Sequence, residues 1–300
     1  MAQDSLSLNS SSFLQGQELE ILSTYVSSFI GALRVSEVDL KSANGITRYI
    51  HGGKGEPVIF LHGIGSTKAY FRSLMKGLTS HYEVFAPDVP GLYPKLKLNA
   101  NKHHFRHLSD WLKEFTDKLG IKRYTLIGNS LGASIASYHA YHRPEDVAKL
   151  CLLSFPETFD KHGNNVRTII DETMCTMRTE ADVDKLMGLC FYNPPNLHRI
   201  IKRKMLRQAI EFKPFVQEMV NDMQSNQIQL LAKIQRINCP TLLISGEDDP
   251  VCPPPFAEKM RDIMPNARLH VLAKSKHVTF LERHRLVEKL LRDDLLVTNF

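Results

Sequence analysis

The stretch TLIGNSLGASIASYHA at residues 125–140 holds a serine, Ser130, with Gly128 and Gly132 on either side of it. A buried-strand pattern leads in and small residues suited to a packed helix lead out, so G-x-S-x-G falls here at a strand-to-helix junction. Such a turn projects the serine hydroxyl from the end of the strand, and the two glycines let strand and helix approach closely. The chemistry expected of Ser130 is nucleophilic attack; the plainer alternative is a serine that only caps the following helix.

A serine hydroxyl is a weak nucleophile near neutral pH, so a base must take its proton and a third group must orient that base. After the apolar run TLLIS, the sequence GEDDPVCP offers Asp249, with Asp248 as its neighbouring substitute. Further on, LAKSKHVTFLERH sets His277 just ahead of a terminal helical pattern that carries Phe280, Leu281, Val287 and Leu290. With thirteen histidines in the chain, it is the order serine, acid, histidine that singles out His277. His62, in FLHGIGS, is an alternative base for which a loop-stabilising role is expected. The glycine-bearing loop after it lets the backbone N–H of Ile64 face that of Leu131, and these two amides are the expected oxyanion donors.

Elements must hold these residues in place. VSEVDLKSANGITRYIHGG predicts an antiparallel hairpin turning at Asn44-Gly45. PVIFLHG, YEVFAPDVPG, YTLIGNS, VAKLCLLS, PTLLISGEDD and ARLHVLAKSKH follow as strands. Most are continuous apolar runs, as expected of parallel strands covered on both faces, so the fold class is α/β with a mostly parallel central sheet flanked by helices. From about residue 156 to 237 the pattern is helical without a convincing strand, which predicts a cap inserted late in the sheet over the ligand-binding end of the strands. The expected division is a tail and amphipathic helix at 1–32, core at 33–155, cap at 156–237 and core again at 238–300. The amphipathic helix is read at about 17–33, from Leu19, Leu22, Val26, Phe29, Ile30 and Leu33.

Composition excludes several classes. The chain of 300 residues is 43% hydrophobic and 23% charged, and its net charge of +6 is scattered, so nucleic acid is not an expected partner. Five widely spaced cysteines suggest neither a disulfide framework nor a metal site, and fit a reducing compartment. No secretory leader is expected from MAQDSLSLNSSS, and no apolar run reaches bilayer length; the expected location is cytoplasmic, with peripheral contact to a membrane.

Taken together, FLHGIG, DVPG, GNSLGA, GEDDPVCP and KHVTFLE resemble the α/β-hydrolase superfamily from about residue 33 onward. The stretches TEADVDKLMGLCFYNPPN and KPFVQEMVNDM resemble the capped monoacylglycerol lipase group and its bacterial lipase and esterase relatives. That resemblance implies a triad of Ser130, Asp249 and His277, oxyanion amides from Ile64 and Leu131, and no cofactor or metal. The chain departs from the usual pattern at Lys276, where glycine is common, at His284, where proline is common, and at Ala133, where many relatives have glycine. The loop LYPKLKLNANKHH also lacks the familiar second glycine and serine.

Substrate class must come from the insertion. Met174, Met177, Met187, Met219 and Met223, with Phe191, Tyr192, Phe212 and Phe215, suit an adaptable acyl-chain pocket, the alternative being ordinary helix contacts inside the cap. Met174, Met187, Phe191 and Val251 are the candidate substrate contacts. In LHRIIKRKMLRQAI, Leu197, Ile201 and Met205 share one helical face and Arg199, Arg203 and Arg207 another, which suits an anionic lipid surface or a solvated cap face. The activity expected is hydrolysis of carboxylic esters, above all lipid monoesters such as monoacylglycerols. Carbon-carbon bond hydrolysis or acyl transfer on the same triad, and a ligand-sensing module that keeps the fold, are the alternatives.

Overall fold

The structure is a computed structural model and describes residues 35–42, 45–91, 105–156, 173 and 176–296. The expected helix at about 17–33 and the loop 92–104 lie outside the described residues. Eight strands, β1 (Val35–Ser42), β2 (Gly45–Gly52), β3 (Glu56–Leu61), β4 (Tyr82–Pro87), β5 (Tyr124–Asn129), β6 (Val147–Leu153), β7 (Thr241–Gly246) and β8 (Ala267–Leu272), form one sheet in the order β1-β2-β4-β3-β5-β6-β7-β8. Every strand anticipated from the sequence is present. β1 and β2 pair antiparallel with each other, β2 joins β4 antiparallel, and the other pairings are parallel. The hairpin register sets Ser42 opposite Gly45, so Gly45 is already strand, while Asn44 of the expected turn lies outside the described residues.

The apolar runs are continuous because both faces of the sheet are covered. Ile59, Leu61, Leu126, Leu150, Leu152 and Leu243 point to one side, where they meet α2 (Phe105–Lys118), α3 (Leu131–His142) and α6 (Pro254–Ile263). Their chain neighbours Val58, Phe60, Ile127, Cys151, Leu153, Leu242 and Ile244 point to the other side. There they meet α1 (Arg72–Leu78) and the carboxyl-terminal elements α7 (Thr279–Glu282), α8 (His284–Leu290) and a last turn, Leu291–Leu296. The single terminal helix expected is thus broken at Arg283, yet Phe280 anchors it by stacking on Phe71 at 4.9 Å.

Between β6 and β7 the described residues are helical or irregular with no strand, and include α4 (Glu180–Cys190), opened by a Thr179–Asp182 capping box, and the long α5 (Arg199–Ile234). Met177, Val183, Met187, Leu197 and Ile201 bury their side chains between the two, with Met205 packed against them. The apolar face of 197–205 is therefore covered by protein. Outside it, Arg199 and Arg203 both reach Glu180 at 2.9 Å and Lys202 reaches Asp184 at 2.6 Å, solvent-screened pairs that add little to stability. No described helix is long and apolar enough to cross a membrane.

One buried polar cluster ties α2 and α3 to the sheet. His139, fully buried, has Ser109 Oγ 2.8 Å from Nδ1 and Tyr124 Oη 2.7 Å from Nε2. A neutral imidazole offers one donor and one acceptor, so the two hydroxyls satisfy it completely. Burial, reinforced by the nearby Arg143 charge, pushes its pKa down to about 3 from 6.5. Folded His139 thus stays neutral while the unfolded chain takes up a proton below about pH 6.5, and stability is lost as pH falls from there towards 3. Between pH 7 and 5 this one group is expected to cost about 2 kcal/mol. Denaturant unfolding of His139→Gln, which cannot titrate, should show a correspondingly shallower loss of stability over that interval; an unchanged pH dependence would contradict the assignment.

Candidate active site

Ser130 follows β5 directly and adopts φ 52°, ψ −122°, a left-handed conformation that is costly for a residue with a side chain. Strain of this kind persists only where surroundings enforce it. Its N–H donates to Leu153 O at 2.9 Å, fastening the turn to β6, and Ala133 N–H returns to Ser130 O at 2.8 Å as α3 begins. The Ser130 side chain makes no capping bond to α3, which removes the plainer reading of this serine. Both flanking glycines are required by contact: a Cβ on Gly128 would lie 2.3 Å from Gly132 O, and one on Gly132 would lie 2.1 Å from Leu61 O.

The same closeness brings the loop after β3 to the turn. A Cβ on Gly63 would stand 3.0 Å from Ser130 Cβ, so the segment carrying Ile64 adjoins the serine. Leu131 opens α3, where the first N–H groups have no partner within the helix itself. His62, next to this loop, is buried with both ring nitrogens engaged by backbone. Nε2 accepts from Val89 N–H at 2.9 Å, so Nδ1 carries the proton and donates to Gly63 O at 2.9 Å. Burial holds its pKa below the ordinary value. A histidine so committed has no nitrogen left for proton transfer, and it holds the loop instead. Lys68 adds a second tie, donating to the Asp88 carboxylate through its backbone N–H at 3.0 Å and through Nζ at 2.5 Å.

Asp249 follows β7 and is 3% exposed, whereas Asp248 beside it faces solvent. Its Oδ1 accepts from Val251 N–H at 2.8 Å and Cys252 N–H at 3.0 Å, which leaves Oδ2 to accept from His277 Nδ1 at 3.1 Å. The two adjacent aspartates are thereby told apart. His277, 8% exposed, lies in the loop after β8, and that loop is latched to the turn of Asp249 by Asp248 N–H donating to Ser275 O at 3.1 Å. Gly246 permits the contact, since a Cβ there would meet Lys276 O at 2.4 Å. With Nδ1 given to the carboxylate, the other ring nitrogen, Nε2, is the one left to handle a proton. Among the described residues one group has metal-donor spacing, Asp249, Cys252 and His277, with ligand atoms within 4.8 Å of one another, but its aspartate and histidine already bond each other.

Ser130, Asp249 and His277 thus stand beyond the carboxyl ends of β5, β7 and β8 of one parallel sheet. Of the candidate substrate contacts, Met187 is buried between α4 and α5 and Phe191 packs against both that cluster and the core. Val251 is buried beside Asp249. Met174 lies outside the described residues, as do the side chains of Phe215, Met219 and Met223. Between β6 and β7, the described methionines Met177, Met187 and Met205 serve contacts between α4 and α5. In the loop after β3, Ile64 packs against Phe212 and Val216 of α5. Val216 carried no distinguishing signal in the sequence, and Phe212 was one aromatic among several.

Comparison with known proteins agrees with this architecture. The sequence is 23% identical over 238 residues to Lipase 3 of Moraxella sp. (strain TA144), covering 76% of this chain and 73% of that protein. It is 21% identical over 266 residues to monoacylglycerol lipase ABHD6 of Homo sapiens, covering 83% and 79%. Among solved structures, a bacterial membrane phospholipase A superposes with a TM-score of 0.77 at 23% identity, covering 93% of this chain and 91% of that one. The profile of the alpha/beta hydrolase family matches residues 58–290, a span that begins within β3 and takes in the strained serine turn and the Asp249–His277 pair. By its sheet order, its serine turn and that match, the chain belongs to the alpha/beta hydrolase family.

Proposed function

We propose that this protein is a serine hydrolase of carboxylic esters, and that its substrates are lipid monoesters such as monoacylglycerols. The observation that carries the reading is the buried Asp249–His277 bond, which takes Nδ1 and leaves Nε2 for proton transfer, with His277 and the strained turn of Ser130 both following carboxyl ends of parallel strands. Residues 33–155 and 238–300 act as the core, and 156–237 as a cap over the site. The lipase relatives, a monoacylglycerol lipase among them, support the substrate class.

Ser130 Oγ attacks the acyl carbonyl while His277 Nε2 takes its proton. The oxyanion is held by the N–H groups of Ile64 and Leu131, donors fixed before reaction and so without reorganisation cost. His277 returns the proton to the leaving alcohol, and water, activated by the same nitrogen, releases the acid. Asp249 keeps Nδ1 protonated and stabilises the imidazolium that forms. Phe212 and Val216, above Ile64, set the apolar wall against which the acyl chain lies. Contact with a lipid surface falls to the outer edge of α5, where Ile200 (67% exposed) and Ile210 (55% exposed) flank Arg203 and Arg207, because the face 197–205 is covered.

Fatty-acid release from a chain-length panel of monoacylglycerols and simple esters tests the reading. Ser130→Ala is expected to lose about a millionfold in kcat and Asp249→Asn about ten-thousandfold, the latter through the wrong tautomer. Full turnover in either variant would reject the triad, and an intact protein that releases no acid from any ester would favour carbon-carbon bond hydrolysis or ligand sensing. Phe212→Ala should move the preferred acyl chain to greater length in the same panel; an unaltered chain profile would remove Phe212 from the acyl site. Sedimentation with anionic vesicles should weaken in Ile200→Asp/Ile210→Asp and with added salt, and salt-insensitive or unchanged binding would contradict that contact surface.

A further inference from the structure

Glu282 lies five residues beyond His277, at the end of α7, and its carboxylate joins two segments distant in sequence. Oε1 accepts from the backbone N–H of Tyr192 at 2.7 Å and of Asn193 at 3.2 Å, both in the connection that leaves α4. Oε2 accepts from the backbone N–H of Lys276 at 2.9 Å and from Ser275 Oγ at 3.4 Å, in the loop that carries His277. Two more bonds join the same segments without Glu282. Val278 N–H donates to Cys190 O at 3.2 Å, and Lys276 Nζ donates to Gly188 O at 2.5 Å. Both chain neighbours of His277 are therefore bonded to residues 188–190, and one of them is bonded to Glu282 as well. Burial, with the charges of Asp249 and Glu282 next in weight, pushes the Cys190 thiol up to about 12, as expected where this segment runs beside both carboxylates.

We infer that Glu282 is a positioning residue that couples the seating of the cap to the alignment of His277 on Asp249. The inference rests on the roles given to His277 and Asp249 above. A carboxylate suits the task because it only accepts, so all four donors meet an acceptor; an amide of the same size would turn its NH2 towards two of them. Displacement of residues 188–193 takes donors from Glu282 and draws on Lys276 and Val278, which hold the backbone of His277 between them. The base is then in register with Asp249 only while the cap segment is in place. Turnover is linked in this way to the element that covers the substrate, over a sequence separation of 90 residues between Tyr192 and Glu282.

Glu282→Gln is the test, read by three measurements on the intact protein. The kcat/KM for a short soluble ester should fall about a hundredfold, the scale of a misplacement of about 1 Å at a reacting group. The acid limb of its pH profile should move to lower pH, because an imidazolium pulled away from Asp249 loses the partner that stabilises it. The low-field proton resonance of the His277 Nδ1–H bound to Asp249 should broaden or disappear, while the melting temperature stays near that of the parent. A variant with unchanged pH limb and resonance would reduce Glu282 to a strut and overturn the proposal. Should Glu282→Gln fail to fold, Glu282→Asp, with its charge kept and its reach shortened, is read by the same criteria. Replacing the backbone amide of Tyr192 by an ester deletes only the cap-side donor, and should shift the pH limb in the same direction by less. A shift in Glu282→Gln with none in the ester form would leave His277 positioned without the cap and refute the coupling. Absence of all ester hydrolysis by the parent protein would sink the proposed function, whereas the resonance test would still report on the Glu282–His277 link.

Discussion

The close approach of α3 to the end of β3 is the constraint on which the rest of the site depends. With no side chain at Gly132, the first turn of α3 sits against Leu61 O, and that proximity forces Ser130 into its left-handed conformation. It also brings the loop of Gly63 and Ile64 alongside the serine. The cost of the strained backbone is offset by the core on both faces of the sheet, where Ile135 and Ala136 of α3 pack with Leu126 and Leu152 on one side and Phe71 stacks on Phe280 on the other.

Around that turn the polar groups are arranged so that few have a choice of partner. His62 is spent on Gly63 and Val89, Lys68 on Asp88, and one oxygen of Asp249 on the backbone of its own turn. What remains for His277 is a single carboxylate oxygen. Buried groups with one available partner hold their geometry against side-chain entropy, which is how a loop residue can be as well placed as one on a strand. The segment between β6 and β7 enters this arrangement at two places, through Phe212 and Val216 on Ile64 and through residues 188–193 on the loop of His277.

The methionines between β6 and β7 show where composition is ambiguous. Methionines at helical spacing fill gaps between helices as readily as they line a cavity, and Met177 and Met187 do the former. The basic stripe of α5 was similarly ambiguous, since Arg199 and Arg203 turn out to face Glu180, and the apolar face opposite belongs to the contact with α4. In both cases the deciding partner lies on another helix, and periodicity within one helix carries no information about it.

The sequence by itself determined the strands, because residues that must be covered on both faces can only be written as unbroken apolar runs. It determined the serine turn as well, because two glycines at that spacing are demanded by contacts within a single strand-turn-helix unit. The order of serine, acid and histidine was legible for the same local reason, each following the end of a strand. Only the tertiary structure shows that Asp249, and not Asp248, bonds His277, and that both ring nitrogens of His62 are taken by backbone. These pairings depend on a bond across 28 residues and on backbone groups brought to His62 from Val89, 27 residues away. The link from Glu282 to the segment after α4 was likewise invisible in the chain, because a glutamate beside a helix end reads as solvated until the fold delivers four donors to it.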